Sequence, residues 1–300
     1  MSHPPTLKQL KYLCAVADKQ HFSHAAESCF VSQSTLSAGI NELEQTLGVT
    51  LIDRSKKHVS LTAIGREVTE RARTVLTDID DLVATAVAAH EPFSTEMRLG
   101  VIPTIAPFLL PKILKTFRQR YPEFKLYIRE DLSGNLLEEL HAGELDILLL
   151  ALPYPADGVT ERHLFYDELL LATNKGSPLA KRNKLMTKDL KHSELLLLEE
   201  GHCLRDHVLD ACKLKNRDIK VPYQATSLNT VIQMVANDIG VSILPKMAVD
   251  AKILRGTSVE THPFADRVVQ RSIGLMWRKR SPRQDEFERV GELINECMAA

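Results

Sequence analysis

Short helices, one long helix and then alternating strands and helices predict a chain in series. An N-terminal all-α helix-turn-helix head leads through a linker helix into a two-lobed α/β domain. Three observations carry that expectation. Residues 7–47 hold three short amphipathic patterns with tight breaks between them. Residues 62–89 hold one apolar seam without a break. From Met97 onward, short apolar runs alternate with helical patterns. The expected divisions are residues 1–62, 63–95 and 96–300, reasonable for a chain of 300 residues.

Thr6 can cap the first helix, with Gln9 reaching back to it. Leu7, Leu10, Cys14 and Ala17 share a face, so Cys14 reads as core. Ser23 is expected to cap a second helix through Ala25, Ala26 and Cys29, and Ser32 a third. In the third, Leu36, Ile40, Leu43 and Leu47 recur at spacings of four, three and four before Gly48 ends it. The exposed N-terminal residues of such a helix reach base edges in the major groove. Here they are Ser32, Gln33, Ser34, Thr35, Ser37 and Ala38, with Asn41 a turn further on. Gln can pair with adenine, and Ser or Thr can serve bases or phosphates.

Thr50–Asp53 and His58–Leu61 read as short strands around a basic turn that contains Arg54, Lys56 and Lys57. From Arg54 to Arg73 there are six Lys or Arg against two Glu, a local stripe suited to phosphates. The plainer alternative is a solvated face. The net charge of the whole chain is −1, so composition itself gives no sign of nucleic acid.

Thr62 can cap the long helix. Val68, Ala72, Val75, Ile79, Leu82, Ala86 and Ala89 alternate spacings of four and three, a seam for a second copy of the chain. Pro92 and Ser94-Thr95 make a hinge. Beyond it, strands are expected at Met97–Ile102, Lys125–Arg129, Asp146–Leu152, Leu164–Asn174, Glu194–Leu198, Tyr223–Thr226, Val241–Leu244 and Ser272–Arg278. Helices are expected at Phe108–Arg120, Asn135–Ala142, Gly201–Asn216, Ser227–Asp238 and Pro282–Met298. The alternation predicts a mostly parallel sheet, with ligands held between lobes near strand ends and helix N-termini.

The segment Glu199-Glu200-Gly201-His202-Cys203-Leu204-Arg205-Asp206-His207, with Cys212 beyond it, concentrates the chemistry. A histidine and an arginine beside Cys203 favour a reactive thiolate, while Glu199 and Glu200 oppose it. Nine residues of helix separate two Cα atoms by roughly 13–14 Å, and a disulfide needs about 4.4–6.8 Å. Bonding the pair would therefore break the helix, turning chemistry into a change of shape. Two other readings stay open from the residues alone: a core Cys212 with an idle Cys203, or a zinc site with His202 and His207. Irregular spacing and the cationic Arg205 count against zinc. Five cysteines are no disulfide framework and fit a reducing cytoplasm. No leader peptide is expected ahead of the first helix, and no run is long enough to span a bilayer.

Ala25-Ala26, Val31-Ser32-Gln33, Leu36-Ser37, Leu47-Gly48-Val49 and Leu61-Thr62-Ala63-x-Gly65 resemble the winged helix-turn-helix of LysR-type transcriptional regulators. Gly100-Val101-Ile102-Pro103-Thr104 and Gly201-His202-Cys203-Leu204-Arg205-Asp206, with Cys212, resemble the hydrogen-peroxide-sensing members. Many members have proline where this chain has Ser34, and basic residues near Ala38, Gly39 and Asn41. Ser133 stands where threonine is frequent.

The resemblance implies a two-lobed effector domain like periplasmic binding proteins. It implies a DNA-binding activator of oxidative-stress genes rather than an enzyme, with no cofactor or metal and with peroxide as its signal. Cys203 would be the peroxide-reactive cysteine and Cys212 its resolving partner, with Thr104, Ser133, His202 and Arg205 around the peroxide. Promoter DNA, a homodimer through the linker helix that pairs into a homotetramer, RNA polymerase, and a glutaredoxin- or thioredoxin-type reductant would be its partners. The alternative is a LysR-type regulator of a small organic effector, with structural cysteines.

Overall fold

A computed structural model describes residues 4–53, 59–88, 93, 96–182, 184–190, 194–213 and 224–299. The chain divides into two compact units, Met1–Ala86 with His141–Gly143, and Val87–Leu140 with Glu144–Ala300.

In the first unit, α1 (Leu7–Lys19) starts at a complete capping box between Thr6 and Gln9. The second helix, α2 (Phe22–Ser28), begins earlier than expected. Its N-cap is His21, and no side chain caps it. Ser23 lies inside the helix, and its hydroxyl bonds Gln33 Oε1 at 2.9 Å instead. Ser32 caps α3 (Gln33–Leu47) through the Thr35 N–H, and Gly48 closes it in the left-handed region at φ 69°.

Leu13, Val16, Leu36, Ile40 and Leu43 form the core where the three helices meet. Glu44 Oε1 accepts from the Leu51 and Ile52 N–H groups at 2.7 and 3.1 Å, which ties α3 to β1 (Ile52–Asp53). β1 pairs antiparallel with β2 (Ser60–Leu61). Thr62 then caps α4 (Ala63–Ala88), accepting from Gly65 N–H at 2.9 Å. Gly65 is required here, because a Cβ would stand 2.0 Å from the Leu51 carbonyl oxygen.

The expected seam of α4 divides. Val68 packs into the head, and Ala72 is buried. Val75, Ile79 and Leu82 are exposed, Leu82 at 64%. The side chains of Ala86 and Ala89 lie outside the described residues.

The second unit holds a seven-stranded sheet and a small two-stranded one. In chain order its elements are β3 (Met97–Val101), α5 (Ala106–Arg120), β4 (Leu126–Glu130), α6 (Ser133–His141), β5 (Ile147–Leu152), β6 (Val159–Asn174), a single 3-10 turn (Thr187–Leu190) and β7 (Leu197–Leu198). Then come α7 (Cys203–Cys212), β8 (Gln224–Ala225), α8 (Leu228–Ala236), β9 (Ser242–Pro245), α9 (Lys246–Asp250), β10 (Val259–His262), β11 (Gln270–Arg278) and α10 (Gln284–Ala299).

The large sheet is not mostly parallel. Only the pairings of β3 with β4 and with β5 are parallel. The returning strand β11 inserts between β5 and β6 and runs against both. β9 and β10 also oppose β6. At sixteen residues, β6 serves both lobes, pairing with β11 through Val159–Glu168 and with β9 and β10 through Leu169–Asn174. It starts five residues before the expected Leu164. The early part carries Glu161, Arg162 and His163, and its polarity hides the strand.

Two apolar cores result. One packs β3, β5 and β11 against α5, α6 and α10. The other packs β7, β9 and part of β6 against α7 and α8. No described helix is long and apolar enough to cross a membrane.

Candidate functional site

The cysteine segment joins the two cores. After β7 the chain turns through Gly201, whose φ of 96° suits a residue without a Cβ, and His202 becomes the N-cap of α7. Cys203 is the first residue of that helix and packs with the first core, whereas Cys212 is the last and packs with the second. Helix α7 ends there, earlier than the expected Asn216, because Lys213 takes the left-handed region at φ 52°. Both thiols are free.

Around Cys203, three stretches converge: Ile102–Thr104 after β3, Leu132–Ser133 at the start of α6, and Gly201–Cys203. They enclose a crevice with no volume open to a water molecule. Thr104, Ser133, His202 and Cys203 are thus brought together, and all four are buried. Arg205 is buried too, but it lines a separate crevice of about 10 Å³ with Leu197, Leu204 and Val208.

Two residues outside the expected peroxide set hold this arrangement. The first is Arg271 on β11, 2% exposed. Its Nη1 donates to Thr104 Oγ1 at 2.8 Å and its Nη2 to the Thr104 carbonyl at 3.0 Å. Nε and Nη2 also donate to Asp167 Oδ2 at 3.1 and 3.0 Å. Asp167 Oδ1 in turn accepts from the Met247 N–H at 2.9 Å. With a lone pair of Thr104 Oγ1 engaged by the guanidinium, the hydroxyl proton remains to be donated elsewhere. The signal in sequence is a cation at an inward position of β11, two residues before Ile273.

The second is His207, one helical turn after Cys203. Its Nδ1 donates to the Cys203 carbonyl at 2.7 Å. Burial pushes the Cys203 thiol up, but hydrogen bonds from His207 and Ser133 and the charge of Arg271 outweigh it, leaving the pKa below the usual 9.0. Ser133 Oγ is buried and makes no conventional hydrogen bond among the described residues, so its contact with the sulfur falls short of that geometry. Burial pulls His207 down, yet its pairing with Cys203 raises it overall. His202 is lowered by burial against the opposing pull of Glu199, so it faces the crevice as a neutral ring.

Of the three buried cysteines, Cys203 is the one moved toward thiolate. Burial pushes Cys212 up to about 12, with Arg267 opposing and Asp266 adding to it. Burial likewise takes Cys14 to about 11. Among the described residues, no three His, Cys, Asp or Glu side chains stand together as a metal site.

Two family descriptions match the chain: "Bacterial regulatory helix-turn-helix protein, lysR family" over residues 7–66, and "LysR substrate binding domain" over residues 90–299. The chain belongs to the LysR family. It is a DNA-binding transcriptional regulator rather than an enzyme. Among LysR-family relatives, the "Probable hydrogen peroxide-inducible genes activator" of Streptomyces viridosporus is 39% identical over 98% of this chain and 95% of its own. The "HTH-type transcriptional regulator EstR" of Acinetobacter baylyi is 37% identical over 100% of this chain and 99% of its own. Among solved structures, a full-length OxyR variant from Pseudomonas aeruginosa superposes with a TM-score of 0.81 at 34% identity, covering 99% of this chain and 97% of that one.

The residues expected to reach base edges lie at the N-terminus of α3. Ser32, Gln33, Ser34, Thr35 and Ala38 are exposed there, and Ser37 is half-buried. Ser32 is engaged as the cap, its hydroxyl 2.9 Å from Ser34 Oγ and 2.8 Å from Thr35 Oγ1. Gln33 is exposed, and its Oε1 accepts from the Ser23 hydroxyl. Arg54, Lys56 and Lys57 lie outside the described residues.

Proposed function

We propose that this LysR-family regulator senses hydrogen peroxide through Cys203 and Cys212. The carrying observation is the asymmetry of the pair. One buried thiol is drawn toward thiolate among Thr104, Ser133 and His202, while the other, at the far end of the same helix, is held protonated in a different core. The Streptomyces relative's name and the OxyR neighbour support this reading.

The Cys203 thiolate attacks one peroxide oxygen. The S–O bond forms as O–O breaks, and the departing hydroxide leaves as water after taking a proton. Thr104, with its proton free, and Ser133, with its hydroxyl open, orient the peroxide. The closed crevice must yield by a side-chain movement to admit it. Cys212 then attacks the sulfenic sulfur, releasing water and forming the disulfide. Along an intact α7 the two Cα atoms stand roughly 13–14 Å apart, so α7 unwinds and Cys212 leaves the second core. A glutaredoxin- or thioredoxin-type dithiol restores the reduced pair.

Residues 1–62 read promoter DNA and residues 96–300 sense. Residues 63–95 link the two parts and pair two copies through Val75, Ile79 and Leu82, with further pairing to a tetramer. RNA polymerase receives the output.

The name of the EstR relative does not mention peroxide, which leaves a second reading, a small organic effector between the lobes. Overall identity does not separate the two, since both relatives match over nearly the whole chain. Thiol mapping does. One equivalent of peroxide, followed within seconds by an alkylating agent and mass spectrometry, is expected to give a Cys203–Cys212 disulfide before any change at Cys14, Cys29 or Cys297. Five thiols that stay unmodified, or react slowly and alike, would move the assignment to the effector.

A further inference from the structure

Cys203 borders two spaces of opposite character. One is the crevice with Thr104 and Ser133, too small for a water molecule. The other is a cavity of about 620 Å³ on the face of α7 that carries Cys203, Asp206, His207 and Asp210. These positions recur at three, four and seven residues, one stripe of a helix. The opposite wall is apolar, built by Pro153, Tyr154, Pro155, Ala156 and Val159. This volume falls in the range of sites for small organic molecules, about 300–1,000 Å³, and far exceeds what hydrogen peroxide needs. Its remaining charges are three carboxylates, Glu161, Asp206 and Asp210, against the single histidine.

We propose that Cys203 also reacts with compact, uncharged organic hydroperoxides, which enter through this cavity and lay their alkyl group on the Pro153–Val159 wall. The inference rests on the redox role of Cys203 and extends its substrate class. The thiolate attacks the terminal oxygen of the hydroperoxide. The S–O bond forms, the O–O bond breaks, and the alkoxide takes a proton from solvent in the cavity and leaves as the alcohol. Cys203 is oxidised to the sulfenic acid and the hydroperoxide is reduced by the same two electrons. The three carboxylates repel hydroperoxides that carry a carboxylate of their own.

The test follows Cys203 oxidation in the reduced full-length protein with hydrogen peroxide, tert-butyl hydroperoxide and linoleic acid hydroperoxide. In the wild type, tert-butyl hydroperoxide should react at least tenfold faster than with free cysteine and well ahead of the fatty-acid hydroperoxide. Ala156→Phe and, separately, Val159→Phe fill the cavity. Each should slow the tert-butyl reaction at least fivefold and leave hydrogen peroxide within twofold. Asp210→Lys, on the exposed rim, should raise the fatty-acid rate several-fold without any need to refill the interior. Equal slowing of both small peroxides by the filling variants, or a wild-type organic rate no better than free cysteine, overturns the proposal. Failure of the wild type with hydrogen peroxide itself overturns instead the redox reading on which it rests.

Discussion

Replacing Arg271 with leucine tests how the site is held. The guanidinium makes two hydrogen bonds to Thr104 and two to Asp167, and both charged side chains are almost wholly buried. Arg271→Leu leaves the Asp167 carboxylate inside the protein with the Met247 N–H but without its buried cationic partner. Removing one partner of such a pair costs about 3–5 kcal/mol, most of it the uncompensated charge. The single tryptophan, Trp277, is 1% exposed on the same strand, so its fluorescence reports the second unit alone. With a urea slope of about 2 kcal/mol/M, the midpoint should fall by roughly 1.5–2.5 M. The double variant Arg271→Leu/Asp167→Leu should recover at least half of that, because replacing both partners by apolar groups is close to neutral. The same single variant removes a positive charge near Cys203, so alkylation of that thiol should need a higher pH. A midpoint within about 0.5 M of the parent, which is about 1 kcal/mol, would refute the reasoning.

Other expectations follow from the same geometry. Cys203 has its folded pKa below 9.0, so its thiolate persists below that pH and disappears as pH falls through the folded value. His207→Gln should move the inflection of iodoacetamide labelling upward. Its ionised form also stabilises the fold, fully above pH 9.0 and less as the solution is acidified through the folded value. Cys212 is the reverse case: its contribution is full below pH 9.0 and is lost as pH rises toward about 12. Cys212→Ser should flatten the alkaline fall in the Trp277 midpoint. Gly65→Ala drives a Cβ into the Leu51 carbonyl and should destabilise the first unit by about 1–3 kcal/mol, read by thermal melting together with loss of DNA binding. Leu82→Glu, at an exposed position of α4, should weaken self-association by sedimentation while leaving the Trp277 transition unchanged.

The head was legible because its signals are local. Thr6, Ser32, Gly48 and Thr62 each act within a turn of themselves, and the structure places each where the cap rules put it. Ser23 misled for the same reason. It has the right chemistry for a cap, but a hydrogen bond to Gln33, ten residues away, claimed it. The sheet was harder. Strand direction depends on where β11 inserts after a return across the whole domain, and nothing within β11 announces that. At the site, the histidine and arginine beside Cys203 draw attention to that cysteine, whereas Thr104, Ser133, His202 and Arg205 are named through the family resemblance, and Arg205 lines a separate crevice. Arg271 could not be named, since its partners Thr104 and Asp167 lie 167 and 104 residues away. A buried cation that joins three segments is a property of the tertiary fold.

The position of Cys212 has a consequence for timing. On the proposed scheme, oxidation of Cys203 speeds up in proportion to peroxide, but release of Cys212 from its core does not. Above the concentration at which the two steps match, more oxidant cannot quicken the response. It only prolongs the wait of the sulfenic acid, which a second peroxide can then convert to a sulfinic acid that no thiol reverses. Short pulses that a reductant clears before α7 unwinds leave no output at all. A ten-residue helix therefore sets both the shortest exposure the regulator registers and the fastest rate at which it can answer.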